Sequence, residues 1–269
     1  WSFSQSPALC VYDYLRDTKY GLAESALNVN LDSLTSAITI CDSDIPLAAG
    51  GNQNRYTLDG IVDSANSKKE NIEAMLSAMA GKLVHSSGEY FISSGSYVAP
   101  VVTIDESVMI GGLEVQTKQS RRGLYNGVKG VFRSEEDDYS VADYPAQLSS
   151  TYSTEDGDPI YLDMALPFTT NNIRAQRIAK LVLLRSRQQT TITVPCNLAA
   201  LKFRAGDNIM VTNAKMAWIQ KVFQVVGYDL SFSGDGEIVV KYDTPVAFLK
   251  YWDNDEETKK KVIDGWLHT

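Results

Sequence analysis

Residues 67–92, SKKENIEAMLSAMAGKLVHSSGEYFI, combine a complete helix with a complete hairpin. Ser67 and Glu70 have the spacing of a capping box, in which each side chain accepts a hydrogen bond from a free backbone N–H. Gly81 stands where a left-handed C-cap would end the helix. The run Ser86-Ser87-Gly88 then predicts a hairpin turn with glycine at a positive φ. Four apolar residues share the helical face that we expect to enter the core: Ile72, Met75, Leu76 and Met79.

Working outward, the sequence before this stretch predicts two more helices. The first begins at Pro7, which a first helical turn tolerates, and runs through Leu15. The second begins after Asn30 and ends before Pro46. Their expected apolar faces are Leu9, Tyr12 and Leu15 in the first, and Leu31, Leu34, Ile38 and Cys41 in the second. Residues 1–105 are therefore predicted to form a small α+β domain with three helices and a hairpin.

The sequence beyond residue 105 is dominated by β-rich runs, at 113–117, 126–133, 160–166, 190–196, 208–212, 218–228 and 237–242. One strong helix, at residues 172–187, interrupts them, and we expect its small side chains to pack against a sheet. These side chains are Ala175, Ile178, Ala179 and Val182. Residues 106–250 are therefore predicted to form a tube-like β-barrel or sandwich with one packed helix, and the charged residues 251–269 a linker or short helix. The fold class is α+β and β-rich.

The composition, 44% hydrophobic and 22% charged, is that of a globular chain. No apolar run approaches the roughly 20 residues of a membrane-spanning helix, so we expect no membrane span. A net charge of −8 argues against a general nucleic-acid binder, because such proteins need a basic surface to displace counterions. The chain begins with Trp1 and has no signal-peptide pattern, so we expect a fragment or a processed product.

Histidine and cysteine are scarce. His85 and His268 are the two histidines of the sequence, and so small a number argues against a histidine-rich metal centre and against histidine-dependent catalysis. Cys10, Cys41 and Cys196 lie far apart, and their odd number favours buried free thiols in a reducing cytoplasm over a disulfide framework.

Acidic clusters are the remaining candidates for chemistry. Asp42 and Asp44, and the run at 155–158, offer oxygen ligands, but neither has the spacing of a twelve-residue calcium loop. Turn residues that bond to their own backbone are the favoured interpretation. Among 33 acids some pair will have the separation that glycoside hydrolysis needs by chance alone. We therefore assign no catalytic, cofactor-binding or metal residues, and expect no cofactor.

Charge is distributed in two adjacent blocks. Residues 134–163 contain nine acids and no Lys or Arg, whereas residues 164–206 contain seven bases and no acid. Each block is either a solvated face or one side of an interface.

A resemblance to a known family joins several of these segments. Residues 6–15, SPALCVYDYL, with KYGL at 19–22, resemble the opening N-P-A…D-L-L…R-Y-G-[ML]-G of tail-tip hub proteins of long-tailed bacteriophages. Ser6 and Ala23 depart from that pattern. Later segments resemble the same family in the same order: RYTLDG at 55–60, LSAM at 76–79, the hairpin at 81–92, NGV at 126–128, residues 139–145, RAQRIA at 174–179 and AGDNI at 205–209. The resemblance covers roughly residues 6–212.

The resemblance implies a structural, non-enzymatic virion component. Related hubs form a homotrimeric ring at the distal end of the tail tube, assembled in the bacterial cytoplasm, and take part in host attachment and DNA ejection. Other tail-tip and tail-tube proteins would be the partners, and double-stranded DNA would pass through without specific binding. We expect the axial face to be acidic, with the helix at 174–187 facing outward or into a subunit contact.

Two alternatives remain open. One is a tail-associated hydrolase that acts on the bacterial cell wall with carboxylates alone. The other is a receptor-binding or carbohydrate-binding module, which would present exposed aromatic side chains on loops.

Overall fold

The computed structural model describes residues 3–47, 50–100, 102–117, 123–188, 190–197, 200, 202–232, 238–245, 262–263 and 266–267, with side chains up to residue 227. The chain divides into two compact units that interleave along the sequence. Unit 1 comprises Trp1–Ser96 and Tyr125–Leu184, and unit 2 comprises Tyr97–Leu124 and Arg185–Thr269. The sequence predicts a single boundary near residue 105, whereas short strands on either side of that position pair with strands beyond residue 190.

Helices are concentrated in unit 1. The structure describes α1 (Pro7–Arg16), α2 (Leu31–Cys41), α3 (Lys68–Ser77), α4 (Ser150–Asp156) and α5 (Asn172–Ser186). The Asn30 side chain caps α2 by accepting a hydrogen bond from the Ser33 N–H at 3.0 Å. Ser67 and Glu70 form both hydrogen bonds of the predicted capping box at the start of α3. The predicted α3 stripe is buried, as expected for a core face: Ile72, Met75, Leu76 and Met79.

The buried faces of α1 and α2 differ from the predicted ones. In α1, Val11 and Leu15 are buried, whereas Leu9 and Tyr12 are only partly buried. In α2 the first residue of the expected stripe, Leu31, is 59% exposed. Helix α1 packs against both α2 and α3, so tertiary contacts rather than apolar periodicity alone select its buried face.

The end of α3 corrects the predicted C-cap. Ala80, not Gly81, takes the left-handed conformation, with φ of 46°. The Gly81 N–H then bonds to the Leu76 carbonyl at 3.0 Å. A Cβ at position 81 would lie 2.5 Å from the Ser93 carbonyl oxygen. Glycine is therefore required here for space, because the second strand of the following hairpin, which ends at Ser93, passes directly beside it.

Two antiparallel strand pairs complete the first segment of unit 1. One pair, β1 (Asp44–Pro46) and β2 (Asn52–Asn54), is short. The other, β3 (Lys82–Ser86) and β4 (Glu89–Ser93), is the predicted hairpin. Its two turn residues, Ser87 and Gly88, have φ of 54° and 84°, the pair of positive values that a two-residue type I′ turn requires.

The second segment of unit 1 forms a three-stranded sheet of order β8-β7-β9. Strand β7 (Gly127–Ser134) pairs antiparallel with β8 (Ser140–Leu148) and parallel with β9 (Tyr161–Asp163). The sequence pattern predicts neither β8 nor the short helix α4 that follows it. Strand β8 is mostly exposed, with Tyr144 as its buried residue, and it contains Pro145, which an edge strand tolerates next to a bulge.

Helix α5 is tied to unit 1 by hydrogen bonds to the first segment. Arg177 is 4% exposed, and its Nη1 donates to the Arg55 carbonyl at 2.9 Å. Arg174 Nε donates to the Asn54 carbonyl at 3.2 Å. These bonds hold the helix against the first segment of unit 1, and the expectation that it faces outward or into a subunit contact stays a prediction. Its buried stripe is nonetheless the predicted one at Ala175, Ile178 and Ala179.

Unit 2 contains two sheets, of order β13-β14-β10-β6 and β12-β11-β5. Their strands are β5 (Val102–Ile104), β6 (Glu114–Gln116), β10 (Thr191–Cys196), β11 (Asn208–Asn213), β12 (Trp218–Gln224), β13 (Gly227–Phe232) and β14 (Ile238–Pro245). The run at 218–228, predicted as one strand, is interrupted where the Val225 N–H bonds to the Asp207 carbonyl at 2.9 Å. Two-residue strands, β15 (Val262–Ile263) and β16 (Trp266–Leu267), pair with each other. The helix or linker predicted over 251–269 lies almost entirely outside the described residues.

The two sheets of unit 2 share one apolar core. Ile192 and Val194 from β10 pack with Ile209 and Val211 from β11, and Phe223 of β12 completes the cluster. Each of these side chains is fully buried, as the alternation of β10 and β11 predicts. Within the described residues the strands do not close into a barrel. The α+β, β-rich class is confirmed. The strands described beyond residue 105 form the sheet β8-β7-β9 of unit 1 and, in unit 2, the two larger sheets and the β15–β16 pair.

Candidate interaction surfaces

A cleft of 770 Å³ lies in unit 1 between α1, the 58–67 segment and the start of α3. Its wall is fixed by Asn71, whose Nδ2 donates to the Tyr14 hydroxyl at 3.2 Å and to the Asp63 carbonyl at 2.9 Å. Cys10 lines the cleft, and burial, with Asp13 adding to the effect, raises the pKa of its thiol. A protonated thiol is a poor nucleophile, so the chemistry of this cleft does not favour covalent catalysis.

The other residues that the sequence offers as candidates for chemistry, His85 and the acidic run at 155–158, are held in structural contacts. His85 lies on β3 with its ring 4.6 Å from that of Tyr90. The Asp156 carboxylate accepts a hydrogen bond from the buried amide of Asn126 at 3.0 Å. The same amide nitrogen donates to the Asp158 carbonyl at 2.7 Å, so the 155–158 run is part of an ordered turn. Among the described residues, no three His, Cys, Asp or Glu side chains are grouped so that they could hold a metal.

The three cysteines are free thiols. Cys41 and Cys196 are fully buried, and burial raises the pKa of each thiol to about 12. Cys41 Sγ lies 3.8 Å from Met79 Sδ inside unit 1. These thiols act as small apolar core groups.

The acidic block is displayed on the β7–β8 hairpin. The four acids of its tip, Glu135, Glu136, Asp137 and Asp138, are all exposed. Asp138 and Tyr139 both have positive φ, and the Tyr139 N–H closes the turn on the Ser134 carbonyl at 2.7 Å. The basic block is less uniformly displayed, because Arg177 is buried within unit 1 whereas Lys180, Lys202 and Arg204 are exposed.

A hollow of 580 Å³ lies at the base of this hairpin, between β7, β8 and β9. At Gly130 the chain just after β9 passes close to β7, because a Cβ there would lie 2.0 Å from the Met164 carbonyl oxygen. The Tyr144 hydroxyl donates to that same carbonyl at 3.1 Å. Burial and the charge of Asp163 raise the pKa of Tyr144 to about 12, so this hydroxyl stays a donor.

In unit 2 the turn between β11 and β12 and the start of β12 carry exposed apolar side chains. Met216, in the turn, is 41% exposed, and Ile219, the second residue of β12, is 76% exposed. The Asn213 side chain caps the turn by accepting a hydrogen bond from the Met216 N–H at 3.1 Å. Ala217 and Gln220 both have φ of 53°, a conformation that costs energy in residues other than glycine. Neither this turn nor strand β8 was predicted as a surface of interest, although Asn213 is a recognisable capping residue.

Comparison with known proteins identifies the family. Residues 67–225 match the model of a family described as putative phage tail proteins. This chain belongs to that phage tail protein family. It is a component of the virion tail, as the resemblance in its sequence predicted.

A relative and two solved structures are similar to this phage tail protein. The tip attachment protein J of Escherichia phage SECphi27 is 23% identical over 219 residues, which cover 79% of this chain and 18% of that protein. The chain thus spans less than a fifth of the length of that relative. A tail protein from Neisseria meningitidis MC58 has a TM-score of 0.50 at 14% identity, over 72% of this chain and 59% of that one.

The second structure comes from the virion of a native gene transfer agent particle. Its TM-score is also 0.50 at 14% identity, and the match covers 76% of this chain and 44% of that chain. At these identities the two structures support the fold alone. No described helix of this phage tail protein has the length and hydropathy to cross a bilayer.

Proposed function

We propose that this phage tail protein is a non-enzymatic part of the tail tip that assembles into a trimeric hub ring and joins the tail tube to the central fibre. The observation that carries the proposal is the similarity of 79% of the chain to a tip attachment protein. The ordered sequence resemblance to tail-tip hubs supports the same role. In this ring, unit 2, with two sheets around one core, is the tube-like element.

Passage of DNA through the ring is the second part of the proposal. A basic wall would hold the duplex by releasing its counterions, whereas an acidic wall repels phosphates and lets the DNA slide. The exposed acids at the tip of the β7–β8 hairpin supply such a wall. Arg174 and Arg177, whose guanidinium groups bond to main-chain carbonyls of unit 1, are not available to hold phosphates there.

Sedimentation of the purified chain tests the ring. We expect concentration-dependent trimers at tens of micromolar, and a chain that stays monomeric there would contradict the proposal. Binding to duplex DNA is the independent test of the channel. At about 150 mM salt we expect no tight complex, because a conduit must release the duplex.

A peptidoglycan zymogram separates the structural role from the hydrolase alternative. The purified chain should give no clearing. Clearing that disappears when one acid, such as Asp158, is replaced by Asn would establish an enzyme instead. Retention of the chain on a carbohydrate column would likewise favour the receptor-binding alternative.

A further inference from the structure

The rim of the hollow between β7, β8 and β9 carries a charge with no partner in the described part of the chain. Asp163 forms an ion pair with Lys129, whose Nζ lies 3.6 Å from Oδ1. Asp143, on the opposite rim, is exposed and forms no ion pair with any described residue. Met164 and Ala165 give the hollow an apolar lining beside Gly130, which the Met164 main chain approaches closely. The hollow therefore suits a group that is apolar at its end and positively charged at its edge.

The turn between β11 and β12 has that character. Met216 in the turn and Ile219 at the start of β12 expose apolar side chains, and Lys215, next to Met216 in the chain, is also exposed. The Glu106 carboxylate lies at the same turn, where it accepts a hydrogen bond from the Ala214 N–H at 3.1 Å, but no described residue forms an ion pair with Lys215. Ala217 in this turn and Gln220, where the pairing of β12 with β11 is irregular, are both left-handed although neither is glycine. Strained backbone of this kind persists where the surroundings impose it, and it is concentrated at functional positions.

We propose that the β11–β12 turn of one copy of this chain docks into the β7–β8–β9 hollow of the next copy, with Lys215 facing Asp143. This contact rests on the proposed ring and identifies the surfaces that build it. It is heterologous, because different surfaces of the two copies meet, and a heterologous contact generates a ring when its rotation closes.

Charge also explains why the hollow does not pair with its own counterpart on a second copy. Such a contact would bring two acidic rims together, and the four acids of each hairpin tip would lie near them. Like charges placed opposite each other across an interface disfavour association. Lys215 instead supplies the missing positive charge, while Met216 and Ile219 bury apolar surface against Met164 and Ala165.

A charge swap across the contact tests this pairing by sedimentation of the chain at low salt. Asp143→Lys and Lys215→Asp should each weaken self-association at least about fivefold, because each places like charges together. The double variant should restore the association to within about twofold of the original. Both positions are exposed, so the variants keep the fold, which circular dichroism checks. Glu155→Lys and Lys202→Asp make the same charge changes at other exposed positions and should have no effect.

The outcomes separate the contact from the ring. Restoration by the double variant supports the docking of the turn in the hollow. Self-association that neither single variant weakens would overturn the contact and leave the trimeric ring in place, built through other surfaces. Weakening by both single variants without restoration would show that the two side chains do not meet, and would also overturn it. A monomeric original chain at tens of micromolar would remove the ring and the contact together.

Discussion

Replacing Gly130 with alanine should destabilise unit 1 by about 3 kcal/mol or more. The backbone at this position has φ of 152°, and holding an L residue in such a sparsely populated region costs about 1–3 kcal/mol. The new Cβ would also lie 2.0 Å from the Met164 carbonyl oxygen and 2.8 Å from the Met164 nitrogen. Both neighbours are main-chain atoms, so no side-chain rotation relieves the clash. Strand β9 must move away, which weakens the Met164 N–H bond to the Lys129 carbonyl, worth about 1 kcal/mol.

Two further glycines separate the clash from the conformational strain. Gly157 has φ of 90° but no atom within 4 Å of a Cβ, so Gly157→Ala introduces strain alone and should cost about 1–2 kcal/mol. Gly112 is equally open and has no positive φ, so Gly112→Ala should be neutral or stabilising by up to about 1 kcal/mol.

Urea unfolding of the three variants measures the change in the free energy of unfolding, from the shift of the midpoint at constant m-value. Hydrogen exchange at the Met164 amide locates the damage, because only the Gly130 variant should open the pairing of β7 with β9. A Gly130→Ala midpoint equal to that of Gly157→Ala would refute the close approach of the two strands. The cost would then come from the backbone angle alone.

Three other outcomes follow from the core and its caps. In urea unfolding, Leu76→Ala should lower the free energy of unfolding by about 2–5 kcal/mol and Ser67→Ala by about 1 kcal/mol. A decrease below about 0.5 kcal/mol for Leu76→Ala would contradict the burial of Leu76 in α3. In the native chain a thiol reagent should modify Cys10 first, and equally rapid reaction of Cys41 and Cys196 would contradict their burial. The folded pKa of Cys41 and Cys196 is about 12, above the ordinary 9.0, so their contribution to stability is complete below pH 9.0 and is lost as the pH rises toward 12. Across that pH range the midpoint of thermal unfolding should fall as the pH rises. The fall should be smaller in a variant in which Cys41 and Cys196 are both replaced by Ala.

Features that depend on near neighbours in sequence could be predicted from it. The Ser67–Glu70 capping box and the Ser87-Gly88 turn are each complete within four residues, so residue type and spacing determine them. The exchange of roles between Ala80 and Gly81 was not predictable in this way. It depends on how closely Ser93 passes, which only the folded hairpin defines.

Features that depend on distant contacts could not be predicted. Helix α5 has the periodicity of any helix that packs on a sheet, yet Arg177 bonds to a carbonyl 122 residues earlier in the chain and places the helix in unit 1. Strand β8 has no single buried face, so alternation gives no signal for it. The interaction surfaces escaped prediction for the same reason, because the hollow exists only where β7, β8 and β9 come together.

The two charge blocks of the sequence are displayed differently in the structure. The acids at 135–138 remain in solvent on a hairpin tip, where they act at long range and lose that effect in salt. The bases of the second block are divided: Arg177 is buried and Arg174 is bonded to main chain, whereas Lys180, Lys202 and Arg204 are exposed. Attraction between the two blocks would therefore involve only part of the basic one. The contact proposed above takes its positive charge from elsewhere, because Lys215 in the β11–β12 turn is exposed, lies beside the apolar Met216 and forms no ion pair with a described residue.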